Sequence, residues 1–600
     1  MQSSIINNYE TNANLAGQEV ARYKKLADTY SLMRLGVFAL ILASVYISIV
    51  TNSFTVVMIT LAVGVIVFAW LVSRQSVYEA KKQYYQDLRE VNLNEITSIT
   101  TRENLYDNGN RFSNEKHFYT SDLDIFGNAS LFQLINRAAT LPGNTKLAGW
   151  LSRAANKATI LQRQDAVKEI AAKNQWKPEL QALLIFARKE DVNQLQRLFM
   201  FLNIPLNLTG EKWLSQYVKI APYLFAGMLL LTYFFPVVKI GAILLGVFNL
   251  GVVSSKSLFI KKADLIAGKI GDTLTKYAIV FKKIEEEKWQ ANYTNEQAQK
   301  LLKDNISGQI KQLADLINKL NYHLNIIVGV ILNLFFLWDI KQIIAIENWK
   351  RSNVANLETA FDVIAEYEAL MSLASLQINY PNWTTPQIAD DEGYTLTATD
   401  IAHPLISAES RVENDYELNN TFKVDIITGS NMAGKSTFLR TIGINTVLAL
   451  CGAPVCAKSM QVSVITIVSY MRIKDSLNES TSTFKAELDR LQMLLAAVET
   501  EQKVFFLIDE MLRGTNSVDK YKGSKAVIEQ LIRKKGVGMV ATHDLQIAQL
   551  EQEYPDYVRN FYFDIQVKNG EMLFDYKMKH GECKTFNATL LLKQIGIEID

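Results

Sequence analysis

The sequence predicts three kinds of structure in one chain: an α/β P-loop domain at the C-terminus, an all-α region before it, and transmembrane helical hairpins. Three observations carry this prediction. A β-branched run, Val424 to Thr428, breaks at Gly429 and gives way to a helical pattern near Ser436, with Gly429, Gly434, Lys435 and Ser436 satisfying GxxxxGK[ST]. The stretch 263–376 keeps apolar residues at helical spacing, with sparse glycine and no proline. From Leu35 to Ser73 no residue carries a charge.

A chain of 600 residues is too long for one core and implies three or four units. The net charge of +2 gives no overall basic field of the kind that advertises nucleic acid. The three cysteines, Cys451, Cys456 and Cys583, have no CxxC or histidine spacing, which fits reduced packing thiols better than disulfides or zinc.

Taken in order, residues 1–30 form a polar, helix-compatible segment read as cytoplasmic. Residues 31–75 hold two apolar runs of spanning length joined at Thr51-Asn52-Ser53, a transmembrane hairpin. Arg34 before it and Arg74, Lys81 and Lys82 after it place both flanks in the cytoplasm. A cleavable signal peptide does not fit, because a polar helix precedes the first run and a second run follows it. The segment from Thr101 to Asp191 reads as soluble and mostly helical.

A second hairpin is expected over 218–255, where apolar runs are separated by Pro236 and Lys239 and flanked by Lys212, Lys219, Lys256, Lys261 and Lys262. A third apolar run, Leu324 to Trp338, is shorter than a normal span and would, as a fifth crossing, carry the P-loop away from ATP; it is read as a buried helix. Tyr380-Pro381 ends the helical region, and 381–600 alternates short β-rich runs with helices, the pattern of an α/β ATPase.

The glycines of the P-loop let backbone N–H groups close on phosphate oxygens, Lys435 supplies a point charge to the outer phosphates, and the Ser436 hydroxyl can sit on Mg²⁺. Val504 to Ile508 reads as a buried strand ending in Asp509 and Glu510, which suits a metal carboxylate followed by a group that polarises attacking water. A further apolar strand, Val537 to Ala541, ends in Thr542-His543, where an imidazole can sense a γ-phosphate. Ser480 to Glu487 precedes a helical face of Phe484, Leu488, Leu491 and Leu495, so Ser482 and nearby N–H groups can serve as an anion site or simply as an N-cap.

These motifs together resemble the MutS proteins of DNA mismatch repair, within the ABC-type ATPases: TGSNMAGKST at 428–437, STF with Glu487 at 482–487, DEMLRGTNSVD at 509–519 and ATH at 541–543. The resemblance implies ATP and Mg²⁺ as cofactors. It implies that Gly429, Ser430, Asn431, Met432, Ala433, Gly434, Lys435, Ser436 and Thr437 form the nucleotide loop, Asp509 with Ser436 the metal site, Glu510 the catalytic base and His543 the γ-phosphate sensor. Ser482 and Asp519 are then offered across a homodimer to the other subunit's ATP, and Tyr576 falls where the family places an adenine-stacking side chain. Upstream, LDIFG at 123–127, NRAAT at 136–140 and Trp150-Leu151 are similar to the opening of the family's helical core, and EYEALMSLA at 366–374 to its closing lever helix. The implied layout is a helical core and lever over 100–380, interrupted by the second hairpin, followed by the ATPase domain. His403-Pro404-Leu405 and Asn414-Asp415 resemble the entry to that domain.

The departures are as informative. Ser430 stands where the family carries proline and Ala433 where it carries glycine. Candidate spans fill the region before residue 100 where other members carry mismatch-reading and connector domains, and the second hairpin falls about where others carry a DNA clamp. The expected protein is a multi-pass membrane ATPase with both termini in the cytoplasm, whose ATP-gated dimer acts on double-stranded or branched DNA or another elongated partner. The alternative is an ABC-type transporter, which an LSGGQ-like signature would favour and this sequence lacks. The spans also lack intramembrane charges for a polar substrate path. A scaffold that binds nucleotide without turnover is the third reading, and Glu510 argues against it.

Overall fold

The computed structural model describes residues 2–51, 54–189, 192–204, 210–261, 270–353, 357–390, 392–419, 421–430, 433–471, 483–513, 516–568 and 571–583. Of the residues singled out above, Asn52, Ser53, Asp191, Lys262, Asn431, Met432, Ser480 and Ser482 lie outside them. The chain is mostly helical with a C-terminal α/β region, and it divides into two compact units. Met1–Ala138, Asn144–Lys177 and Glu368–Asp600 form the first, and Ala139–Gly143 with Pro178–Tyr367 the second.

The first unit opens with the helices Gln2–Thr51 and Phe54–Thr100, which contain no proline and so run unbroken from polar ends into the apolar stretch between them. They lie antiparallel, zipped by Tyr23 against Tyr85 at 5.6 Å and Tyr30 against Tyr78 at 5.1 Å between ring centroids. The apolar stretch faces outward, with Leu40 69% and Ile66 70% exposed, whereas at the far end of the second helix Val91, Asn94, Glu95 and Ser98 are buried.

Helix Leu357–Asn379 leads into the α/β region, whose strands are β1 (Gln387–Ile388), β2 (Thr395–Ile401), β3 (Asn414–Asn419), β4 (Val424–Gly429), β5 (Ser459–Val462), β6 (Thr466–Tyr470), β7 (Val504–Asp509), β8 (Val537–Thr542), β9 (Val558–Lys568) and β10 (Glu571–His580). They form a small sheet in the order β1-β5-β2-β3 and a six-stranded sheet in the order β10-β9-β4-β8-β7-β6. In the large sheet β6, β7, β8, β4 and β9 run parallel, and only β10 is antiparallel. β4, β7 and β8 are buried along their whole length, as strands covered on both faces must be, which is why their sequences read as continuous apolar runs. Val424, Ile426, Phe506, Ile508 and Val540 from these strands form a core with Leu494, Ile528 and Leu531 from the covering helices.

The second unit is helical. Tyr277 and Phe281 meet Phe361 edge-on at 4.9 and 5.4 Å, and the Tyr367 hydroxyl donates to the Thr294 carbonyl at 2.7 Å. Its helices Glu211–Phe234 and Val238–Ser255 are joined by Phe235–Val237 and pack together with outward apolar faces. With the two N-terminal helices they make four described helices long and apolar enough to cross a membrane. The run expected to be a buried helix is not buried: in helix Ile326–Phe336 only Gly329 and Asn333 are enclosed, and Ile326 and Ile327 are 79% and 72% exposed. A fully apolar composition signals removal from water, and the sequence alone does not say whether protein or another apolar medium does the removing.

Candidate functional site

Parallel pairing sets the site. Thr428 of β4 lies in register with Thr542 of β8, and Asp509 of β7 with Ala541, so the C-terminal ends of three neighbouring strands deliver Gly429, Asp509-Glu510 and Thr542-His543 to one edge of the sheet. Ligands of open parallel sheets bind at this edge.

The loop after β4 needs its glycines for different reasons. Gly429 has φ +146° and lies so close to β9 that a Cβ would meet the Phe563 carbonyl oxygen at 2.6 Å. Gly434 has φ +107° and caps helix Lys435–Cys451, whose first N–H groups are thereby left facing the loop. Ala433, at the family's glycine position, is buried at 1% exposure, while Thr437 is exposed.

Lys435 is buried at 4% exposure, and its ammonium donates to the Gly429 and Ser430 carbonyls, each at 2.8 Å. Burial lowers its pKa, opposed by the nearby Glu510 and Asp509 carboxylates. Asp509 is the reverse case: burial raises its pKa against the pull of a hydrogen bond from Ser436 and the charges of Arg513 and Lys435.

An orphaned carboxylate oxygen marks where a divalent cation would bind. Asp509 Oδ1 is buried and has no hydrogen-bond partner, while the carboxyl already holds the Ser436 hydroxyl. Among the described residues no cluster of three or more His, Cys, Asp and Glu side chains forms a metal site. One carboxylate and one hydroxyl with room for phosphate oxygens is the set that suits Mg²⁺, which keeps few protein ligands, and the residues fit it.

Glu510 has φ +50°, a strained setting for a carboxylate residue, and its N–H donates to the Ala541 carbonyl at 3.0 Å. Its Oε1 stands 3.6 Å from His543 Nδ1, and His543 Nε2 is 3.3 Å from Lys520 Nζ. Arg513, which the sequence reading did not assign, bridges both carboxylates, with 3.8 Å to Asp509 and 3.3 Å to Glu510. Its neighbour Glu487 accepts from the Arg513 N–H at 3.3 Å and keeps a buried Oε2 without a hydrogen-bond partner. The only sequence signal for Arg513 is its place four residues after Asp509.

A cavity of about 420 Å³ opens beside this edge, lined by Gly434, Lys435, Ser436, Thr437 and Glu510 on one side and by His403, Arg411, Phe438, Phe563 and Tyr576 on the other. The volume is within the range of small-molecule sites. Tyr576 reaches it because β10 bulges between Phe574 and Met578. Asn414 pins the bulge, donating to the Tyr576 carbonyl at 3.1 Å and accepting from the Met578 N–H at 2.8 Å. The Tyr576 ring stacks on Phe574 at 5.7 Å and lies near Gly434, where a Cβ would be 3.1 Å from it. Burial, with Arg440 and Arg102 nearby, pushes the His403 pKa down to about 4, and its Nδ1 accepts the Leu405 N–H at 3.2 Å. Asp519 is exposed in the first turn of helix Ser517–Arg533, bound to Asn516 at 2.6 Å, and does not line the cavity.

A largely parallel α/β sheet thus gathers a glycine-bearing loop, a buried lysine and paired carboxylates at one edge. Residues 425–591 match MutS domain V. The DNA mismatch repair protein MutS of Aquifex pyrophilus is 29% identical over 297 residues, 49% of this chain and 31% of that protein. Those of Persephonella marina and Thermotoga maritima are 33% and 31% identical over 236 and 254 residues, 38% and 42% of this chain and 26% and 31% of theirs. The chain therefore covers under a third of the length of these relatives, and residues 425–591 are the part that matches a domain of the MutS family.

Proposed function

We propose that this protein is a membrane-anchored ATPase of the MutS, ABC-type class, in which two ATPase domains close around ATP and reopen on hydrolysis, and that the switch works on DNA. The observation that carries the reading is the convergence at one sheet edge of the Lys435 ammonium, the Ser436–Asp509 pair with its unpartnered Oδ1, and Glu510 beside His543. Helix N-terminal amides and Lys435 bind the phosphates, Glu510 orients and deprotonates water, and His543 reports on the terminal phosphate. Mg²⁺ held by Asp509 and Ser436 would neutralise phosphate charge. Tyr576 offers a face for the base.

The partner-facing roles of Ser482 and Asp519 require a second copy, in keeping with Asp519 pointing to solvent rather than into its own chain's cavity. The four spanning-length helices, with positive flanks, support a multi-pass protein with its ATPase domain in the cytoplasm. DNA as the substrate rests on relatives named for DNA mismatch repair.

ATP turnover by the full chain in lipid nanodiscs tests the core of the proposal. Glu510→Gln should abolish turnover yet retain ATP and trap a dimer, and Lys435→Ala should weaken nucleotide binding; unchanged turnover in both variants refutes the assignment. Binding to duplex, mismatched and branched DNA across a salt series tests the substrate, because phosphate contacts must weaken as salt rises.

A further inference from the structure

Helix Ile326–Phe336, in the second unit, has a use that the nucleotide chemistry does not supply. Its 11 residues, IIVGVILNLFF, span about 17 Å, roughly half of a bilayer's hydrocarbon. It follows helix Ile306–Leu320 and a short turn at Asn321–Leu324, and the bend between the two limbs is 111°.

The turn doubles back along the helix, so that a Cβ on Gly329 would meet His323 Cα at 2.9 Å. Tyr322 before the segment and Trp338 after it stack at 6.1 Å, and Trp338 Nε1 donates to the Lys319 carbonyl at 2.7 Å. The chain thus leaves and returns at one place. Two polar groups at that base pair with each other: Asn333 Nδ2 donates to Asp339 Oδ2 at 2.8 Å, and the Asp339 N–H donates to Asn333 Oδ1 at 3.0 Å.

The inner face packs on the 211–255 helices. Leu334 fills the space a Cβ on Gly246 would need, 3.1 Å away, Phe335 meets Phe225 edge-on at 4.7 Å, and the buried Asn249 donates to the Leu334 carbonyl at 2.8 Å. The outward-facing side chains of the helix are apolar, and exposure is greatest at the turn, where Leu324, Ile326 and Ile327 are 61%, 79% and 72% exposed. Asn325, between them, spends its side-chain oxygen on the Val328 N–H.

We propose that residues 323–337 form a re-entrant wedge that dips into the lipid beside the 211–255 hairpin without crossing it, with Leu324–Ile327 as its tip. The occupant of the exposed face is bilayer hydrocarbon. Its apolar surface is continuous with that of two helices of spanning length, where Leu230 and Ile243 are 72% and 66% exposed. The base carries Tyr322, Trp338 and a lysine, Lys341, 5.8 Å over the Trp338 ring, the residue types that settle at a membrane interface. The wedge rests on the membrane reading of that hairpin, and because it enters and leaves on one side it keeps the following ATPase domain in the cytoplasm.

The test uses the full chain in phosphatidylcholine nanodiscs with single added cysteines; the three native cysteines are buried. Ile327→Cys reports the tip, Ile243→Cys the hairpin, and Gln299→Cys an exposed soluble site. A charged maleimide should label the first two at least tenfold more slowly than the third, and bimane on both should be quenched by doxyl-chain lipid. Fast labelling of Ile327→Cys with Ile243→Cys protected overturns the wedge and leaves the spans standing; fast labelling of both means that the membrane reading itself has failed. Protection of Ile327→Cys without lipid quenching, together with disulfide-linked dimers, assigns the face to a second copy and overturns the lipid occupant. Ile326→Cys repeats the measurement one residue away should the first variant misfold.

Discussion

Glu95→Gln removes one charge from a buried cluster of three ionised groups, Glu95, Arg137 and Lys177. Glu95, Arg137 and Lys177 are each at most 2% exposed. Glu95 accepts from Arg137 Nε at 2.9 Å, Arg137 Nη2 at 2.7 Å, Lys177 Nζ at 3.0 Å and Asn379 Nδ2 at 2.8 Å. Burial alone would raise its pKa, but Arg137 and Lys177 outweigh burial and hold the carboxyl well below the usual range. Glutamine keeps the volume but leaves two buried cations without an anion and turns an amide donor toward other donors. Breaking a buried pair from one side costs about 3–5 kcal/mol, so local opening should become easier by about a thousandfold at 4 kcal/mol.

Hydrogen–deuterium exchange of the full chain in nanodiscs reads this directly, at amides of Met371 to Gln377 and of Val91 to Ile99, which flank the cluster. Protection unchanged to within tenfold in the variant would show that the cluster does not hold these helices and would refute the reasoning. Replacing Glu95, Arg137 and Lys177 together with methionine should restore much of the protection, because an apolar core of similar volume needs no counter-charge.

Three further outcomes follow from the same geometry. The folded pKa of His403 is lowered to about 4, so the neutral ring stabilises the fold fully above the unfolded value near 6.5 and the contribution is lost as pH falls toward 4. About 3 kcal/mol should disappear across that window, and His403→Gln should flatten a plot of unfolding free energy against pH there. Glu95 behaves differently: its depressed pKa keeps its contribution intact above the ordinary carboxylate range, so the cluster should persist where His403 has already titrated. Tyr576→Ala should raise the KM for ATP by roughly 5- to 100-fold with a smaller change in kcat, the loss expected of one base–aromatic stack, and steady-state ATPase kinetics check it.

What the sequence made legible is local. The strand–glycine–helix order at 424–451 and the carboxylates closing 504–510 are short-range signals, and parallel pairing follows from burial on both faces. Glu95 was opaque because it sits among Glu90, Asn92 and Asn94 in a stretch that reads as a solvated face. Its partners Arg137, Lys177 and Asn379 lie 42, 82 and 284 residues away. The sequence reading likewise ended the first hairpin near residue 75, since the apolar period stops there, although helix Phe54–Thr100 continues without a break. Arg513 was passed over because a basic residue after a carboxylate strand has no distinctive spacing. The 324–338 run failed for another reason: burial in protein and immersion in lipid select the same residues.

The continuity of Phe54–Thr100 has a mechanical consequence for the ATP-driven switch proposed above. From Trp70, at the end of the apolar stretch, to Glu95 is about 38 Å of unbroken helix. Glu95 then grips Asn379, the last residue of the helix before the α/β region, and Tyr9 of the first helix donates to the same Asn379 at 2.9 Å. Both N-terminal helices therefore reach the residue that introduces the α/β region through buried hydrogen bonds, one of them to a carboxylate. A hinge requires residues free to change φ and ψ, and the residues that make this joint, Tyr9, Glu95 and Asn379, are buried and lie within regular helix. If ATP brings two such domains together, the first hairpin moves with them as one body, and the motion must be taken up elsewhere than at this joint.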